Sequence, residues 1–120
     1  MGIKPKDELK YKAYRFAVTI IKFVGSLPRG GVYDTLKDQL LRSATSIGAN
    51  IVEAQAASSR RDFTQFYAIA LKSANETKYW LALLRDGTNV PRETIDTLLE
   101  EAKVLGNILG ASLLTLKKKR

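Results

Sequence analysis

The sequence predicts an all-α protein, a single up-down-up-down antiparallel four-helix bundle. Three observations carry that prediction. Apolar residues recur at three- and four-residue steps along four separate stretches, the spacing that builds one face of a helix. Each stretch ends at proline, glycine or a serine pair, residues that break or cap helices. The breaks are only a few residues long, and short connections make consecutive helices antiparallel neighbours. At 120 residues the chain is one domain, large enough to bury a core without disulfide or metal staples.

The first helix is expected over residues 7–26, with Leu9, Ala13, Phe16, Ala17, Ile20, Val24 and Leu27 on its inner face. Leu27-Pro28-Arg29-Gly30-Gly31 ends it, because proline lacks a donor and glycine admits positive φ. The second is expected over 33–56, with Asp34 as N-cap and a stripe of Leu36, Leu40, Ala44, Ile47, Ile51 and Ala54. Gly48 inside this stripe costs about 1 kcal/mol against alanine. With Ala44 and Ala49 it leaves a thin patch for close approach of another helix. Ser58-Ser59 is the next break, and Ser59 followed by Asp62 resembles a capping box.

The third helix is expected over 60–85 with Phe63, Phe66, Tyr67, Ala70, Ala74, Thr77, Leu81 and Leu84 facing inward. Asp86-Gly87-Thr88-Asn89 reads as a loop with glycine at the helix C-terminus. Pro91 suits the first turn of a fourth helix over 91–116. Its Ile95, Leu98, Ala102, Leu105, Leu109, Ser112 and Leu116 alternate steps of three and four, a heptad seam for packing at a shallow angle. Residues 117–120 form a basic tail, and one domain spans 1–120.

The chain has no cysteine and no histidine. Thiolate nucleophiles, zinc–thiolate sites, Ser-His-Asp triads and the Glu-x-x-His pairs of di-iron bundles are therefore excluded. No carboxylate cluster has metal-ligand spacing. The expectation is a protein that is not an enzyme and takes no cofactor or metal. A polar N-terminal segment and the lack of an ~18-residue apolar run lead to a cytoplasmic, non-membrane expectation. Met1-Gly2 lacks the Ser/Thr that a myristoylation signal needs.

The formal charge of +8 favours anionic partners. Alternating topology places the start of helix 1, the end of helix 2, the start of helix 3 and the end of helix 4 at one end of the bundle. Lys4, Lys6, Lys10, Lys12, Arg60, Arg61, Lys117, Lys118, Lys119 and Arg120 all map there, against few acids. At the opposite end Arg29, Lys37, Arg85 and Arg92 meet Asp34, Asp38, Asp86, Glu93 and Asp96. A one-ended cationic patch concentrates potential and can neutralise several phosphates, so these ten residues are the candidate nucleic-acid contacts. Arg60 and Arg61 carry the wrong sign for a helix N-terminus, which points to a use elsewhere. Tyr11 and Tyr14, between Lys10, Lys12 and Arg15, are read as core or interface residues, with base stacking the other reading. Arg42, Ser46, Asn50 and Glu53 share one face of helix 2, and Glu76 of helix 3 completes a candidate buried or subunit-interface polar network.

The stretch from Asp38 through Arg42, Ser46, Asn50 and Glu53 to Ala54, then Ser59-Arg60-Arg61-Asp62-Phe63, resembles the signature of the four helix bundle protein family. That family is also called the intervening-sequence protein family, since some members are encoded within 23S ribosomal RNA genes. Its pattern runs D-Q-L-R-R-A-x-x-S-I-x-x-N-I-A-E-G, then S-x-x-D-F on the next helix. Tyr14-Arg15 and Leu27-Pro28 resemble its first helix and first turn. This chain departs at Gly48, where the family often has proline, and at Ala54, where it has glycine, which puts the bend at the helix 2–3 corner in question.

The resemblance implies a bundle that assembles as a ring-like homopentamer. It also implies a relation to the accessory variability determinant proteins of diversity-generating retroelements, basic bundles that bind a reverse transcriptase and nucleic acid. The leading expectation is thus a non-catalytic oligomeric accessory protein binding RNA or DNA. The alternative is a protein-only scaffold whose basic surface meets an acidic partner, with Tyr79 and Trp80 as aromatic anchors.

Overall fold

The computed structural model describes residues 5–118. Four helices fill them: α1 (Pro5–Gly25), α2 (Gly31–Gln55), α3 (Arg60–Gly87) and α4 (Arg92–Lys118). There is no strand among the described residues. Each helix packs on its two neighbours in the order α1–α2–α3–α4–α1 and not on the helix diagonally opposite. The α2–α3 seam is the most extensive and α1–α4 the lightest. A helix of 28 residues, the length of α3, spans about 42 Å at ~1.5 Å per residue. The longest dimension of the molecule is 46 Å, so the helices lie along it.

The helix ends follow local chemistry, with small differences from the periodicity reading. Gly30 and Gly31 have φ of 90° and 54°, in the region that side chains avoid. α2 starts there rather than at Tyr33, and Gly30 is its N-cap. Asp34 lies inside the first turn instead of capping it, and accepts a 2.9 Å hydrogen bond from the Gly30 amide. Lys37 Nζ donates to the Pro28 carbonyl at 2.8 Å, which fastens the same corner. The Ser59 cap is as expected: its backbone is extended and its Oγ accepts from the Asp62 amide at 3.1 Å. α3 continues to Gly87, two residues beyond the expected 85, and Pro91 precedes α4 rather than opening it. α2 runs without interruption to Gln55, so Gly48 and Ala54 leave that helix continuous.

All six expected stripe residues of α2 are buried. So are Leu9, Ala13, Phe16 and Ile20 of α1, Ala70, Ala74, Leu81 and Leu84 of α3, and Ile95, Leu98, Ala102, Leu105 and Leu109 of α4. Phe63, Phe66, Ser112 and Leu116 are only half-buried. They lie toward the end of the bundle, where the seams open. Phe23, Ser43 and Ser73 are buried outside the expected stripes.

Ser43 and Ser73 belong to a hydroxyl ladder between α2 and α3. Thr77 is 0% exposed and its Oγ1 donates to Ser43 Oγ at 2.9 Å, with the Ser73 carbonyl also in reach at 2.8 Å. Ser43 Oγ donates to the Leu40 carbonyl at 3.2 Å. One turn further along, Ser73 Oγ donates to Ser46 Oγ at 2.8 Å. Asn50 Nδ2 donates to the carbonyl and Oγ of Ser46 at 2.8 and 3.0 Å. Interleaved with Ala44, Ala70 and Ala74, these small side chains form a seam in which buried polar atoms are satisfied across the interface.

Two stability outcomes follow. Thr77→Val keeps the branched shape but removes the donor to Ser43, and urea denaturation should show a loss of about 1–2 kcal/mol. A Cβ at Gly48 would meet Ala13 Cβ at 3.5 Å, an ordinary contact. Gly48→Ala should therefore raise stability by about 0.5–1 kcal/mol in the same assay.

Candidate nucleic-acid interface

Antiparallel packing brings the start of α1, the end of α2, the start of α3 and the end of α4 to one pole. Contacts fasten these ends together. Arg60 Nη2, at the start of α3, donates to the Leu116 carbonyl near the end of α4 at 3.0 Å. A depression beside it is lined by Ala54, Ser59, Arg60, Phe63 and Leu116, from three helices. A second groove joins Lys10, Tyr11 and Tyr14 of α1 to Ala49 and Val52 of α2.

Lys10, Lys12, Arg60, Arg61, Lys117 and Lys118 are exposed at this pole. Lys6 falls in the first turn of α1, but its side chain is outside the described part; Lys4, Lys119 and Arg120 lie outside the described residues altogether. The exposed acids at the same end are Glu8, Glu53 and Asp62. Among the described residues, none of the six exposed cations forms an ion pair.

The ion pairs sit toward the other pole. Arg85 holds Asp86 at 2.9 Å and Asp96 at 3.2 Å, and Arg92 adds a 3.4 Å contact to Asp86. Lys37 lies 3.6 Å from Asp34, and Arg42 lies 3.2 Å from Asp38. The hydrogen bond from Arg85 holds the Asp86 carboxyl below its ordinary value, and the two carboxylates raise the Arg85 guanidinium. The ion pairs among the described residues thus lie away from the basic pole, although Lys22 and Arg29 toward the other end are also outside them.

Arg60 has a structural role that accounts for its unfavourable place at a helix start. Its guanidinium caps the C-terminal carbonyls of α4, where the helix dipole favours a cation. The Arg61 side chain makes no hydrogen bond or ion pair among the described residues and is exposed.

The expected polar network is divided by the structure. Ser46 and Asn50 are half-buried and joined in the α2–α3 ladder. Arg42, Glu53 and Glu76 do not enter it. Arg42 has 76% of its side chain exposed and turns to Asp38, while Glu53 and Glu76 are exposed. Long charged side chains at the edge of a seam reach water at less cost than they reach a buried partner. The actual partners, Ser43, Ser73 and Thr77, were within reach of sequence reading: hydroxyl residues flank Ala44 and Ala74 at matching places on two consecutive helices.

Tyr11 and Tyr14 are also not core residues, being 52% and 63% exposed. They are stacked with ring centroids 6.5 Å apart, and Arg15 lies 5.8 Å from the Tyr11 centroid. On α3, Tyr79 is exposed and meets half-buried Trp80 edge-on at 5.1 Å. The Trp80 Nε1 is buried without an acceptor. No group of three or more acidic side chains among the described residues is placed to hold a metal ion. No described helix is long and apolar enough to cross a membrane.

Comparison with known proteins adds a family to this geometry. No curated protein matches the chain. A crystal structure of a protein of unknown function from the S23 ribosomal protein family of Bacteroides thetaiotaomicron is 38% identical, with a TM-score of 0.83. The match covers 90% of this chain and 96% of that one. The family model described as 23S rRNA-intervening sequence protein matches residues 6–111. With the helix 2 signature and four-helix architecture already in place, the chain belongs to the 23S rRNA-intervening sequence protein family.

Proposed function

We propose that this protein is a non-catalytic, oligomeric accessory protein that binds RNA or DNA through the basic pole of its bundle. The observation that carries the reading is the separation of charge. Six exposed cations from α1, α3 and α4 gather at one end and lack ion-pair partners among the described residues, while Asp34, Asp38, Asp86 and Asp96 toward the other end are paired. A polyanion gains from such a patch by releasing its condensed counterions. The finer form, an accessory role beside a reverse transcriptase in a pentameric ring, rests on the resemblance to accessory variability determinant proteins.

Assembly has support of its own on α3. Ile69, Tyr79 and Leu83 are exposed on that helix, and the orphaned Trp80 Nε1 lies beside Tyr79. Aromatic side chains of this kind serve as interface anchors. The same face supports the second reading, a protein-only scaffold, in which an acidic protein rather than a nucleic acid meets the basic pole.

Fluorescence anisotropy with RNA and DNA oligonucleotides tests the leading reading. Affinity should fall with salt, with a log–log slope of about −0.7 to −0.9 per phosphate neutralised. Replacing Lys10, Lys12, Arg61, Lys117 and Lys118 with glutamine should flatten that slope and leave the fold intact. Arg60 is spared because it caps α4. No binding at low salt contradicts the proposal, and nuclease-insensitive capture of an acidic protein at the same pole favours the scaffold. Light scattering checks the assembly: wild type should run as a closed oligomer, and Tyr79→Glu should shift it toward the monomer.

A further inference from the structure

We propose that the outer face of α1 beside the basic pole is a stacking platform for unpaired bases, so that the preferred ligand is single-stranded nucleic acid. This deepens the nucleic-acid reading and rests on it. The observation is the joint exposure of Tyr11 and Tyr14, stacked on one another at 6.5 Å, with a guanidinium over one ring. A large aromatic on a helix surface ordinarily finds more cover, yet both rings keep more than half of their surface exposed. Their surroundings are cationic: Lys10 and Lys12 are exposed on either side, Arg15 follows one turn later, and Glu8 precedes.

Single-stranded binders combine these two parts, cations that track the backbone and aromatic faces on which bases stack. A duplex keeps its base faces inside its own stack, whereas unpaired bases can splay onto a protein ring or guanidinium plane. The platform opens into the groove between α1 and α2, whose floor is Ala13, Ala17, Gly48 and Ala49. Small residues there leave room beside the rings, with Gly48 facing Ala13 across the floor. Val52 continues the apolar wall toward the pole, followed by Glu53. On the other side, Lys12 and Arg15 border a groove shared with Glu100 and Glu101 of α4. Those acids repel phosphate and direct a strand toward the α2 side.

Docking of this face on its own two-fold copy is disfavoured, since Lys10, Lys12 and Arg15 would meet their equivalents.

The test compares the full-length wild type with Tyr11→Leu/Tyr14→Leu and Tyr11→Phe/Tyr14→Phe. Each is titrated by anisotropy with a single-stranded RNA oligonucleotide, its DNA counterpart and a duplex of equal length, at several salt concentrations. Masses are measured in parallel by light scattering. Wild type should prefer the single strands. The leucine variant should lose about tenfold or more of single-strand affinity, the effect of one lost stack. Duplex affinity, salt slope and mass should stay at wild-type values, and the phenylalanine variant should bind as wild type. Unchanged single-strand affinity in the leucine variant, an equal loss for strand and duplex, or a change in mass would each overturn the platform while leaving the basic pole standing. Wild type that binds no oligonucleotide at low salt would remove both.

Discussion

Short connections are the constraint from which the rest of this molecule follows. Residues 26–30, 56–59 and 88–91 are too few to carry the chain across the bundle, so each helix returns beside the one before it. That return fixes which faces meet and which ends share a pole. The most extensive seam is the one between α2 and α3. There the chain uses small side chains and a ladder of hydroxyls rather than large apolar ones. Helices lined with alanine, serine and threonine approach closely, and each buried oxygen finds its partner on the facing helix.

The same alternation sorts the charges. Residues of one sign that are far apart in sequence become neighbours, and the two poles resolve differently. At the loop pole, carboxylates and guanidinium groups pair around Asp86 and Arg85, close to each other in sequence. At the terminal pole the cations have no such partners among the described residues. Exposed surface pairs contribute little to stability, so the pairing there serves mostly to cancel charge. Arg60 shows that the basic pole is not idle: one of its cations closes the end of α4, and the remainder are available to a ligand.

Much of this was legible in the residues. Stripe spacing located four helices to within a few positions, and the Ser59–Asp62 cap marked the start of α3 because its chemistry is local. The starts of α2 and α4 were displaced for a reason that pattern does not contain. Gly30 and Gly31 adopt a positive-φ turn that begins α2 early, and Asp34 serves the turn from inside the helix. Periodicity also cannot separate a residue at the edge of a stripe from one just outside it. That ambiguity hid the burial of Ser43 and Ser73 and left Tyr11 and Tyr14 read as core or interface residues, with base stacking the other reading. It also drew Arg42, Glu53 and Glu76 into a network whose members turn out to be short side chains. The gathering of charge at one pole was readable because it depends only on helix order and loop length, whereas pairing depends on side-chain reach.

Lysine acetylation footprinting, read by mass spectrometry with and without a single-stranded RNA oligonucleotide, addresses the functional account at the level of individual side chains. Lys10, Lys12, Lys117 and Lys118 should be protected by the RNA, while Lys22, exposed toward the opposite pole, should label at the same rate with or without it. Equal labelling of all these lysines, or protection confined to the Lys22 end, would contradict the assignment of the basic pole as the ligand-binding surface.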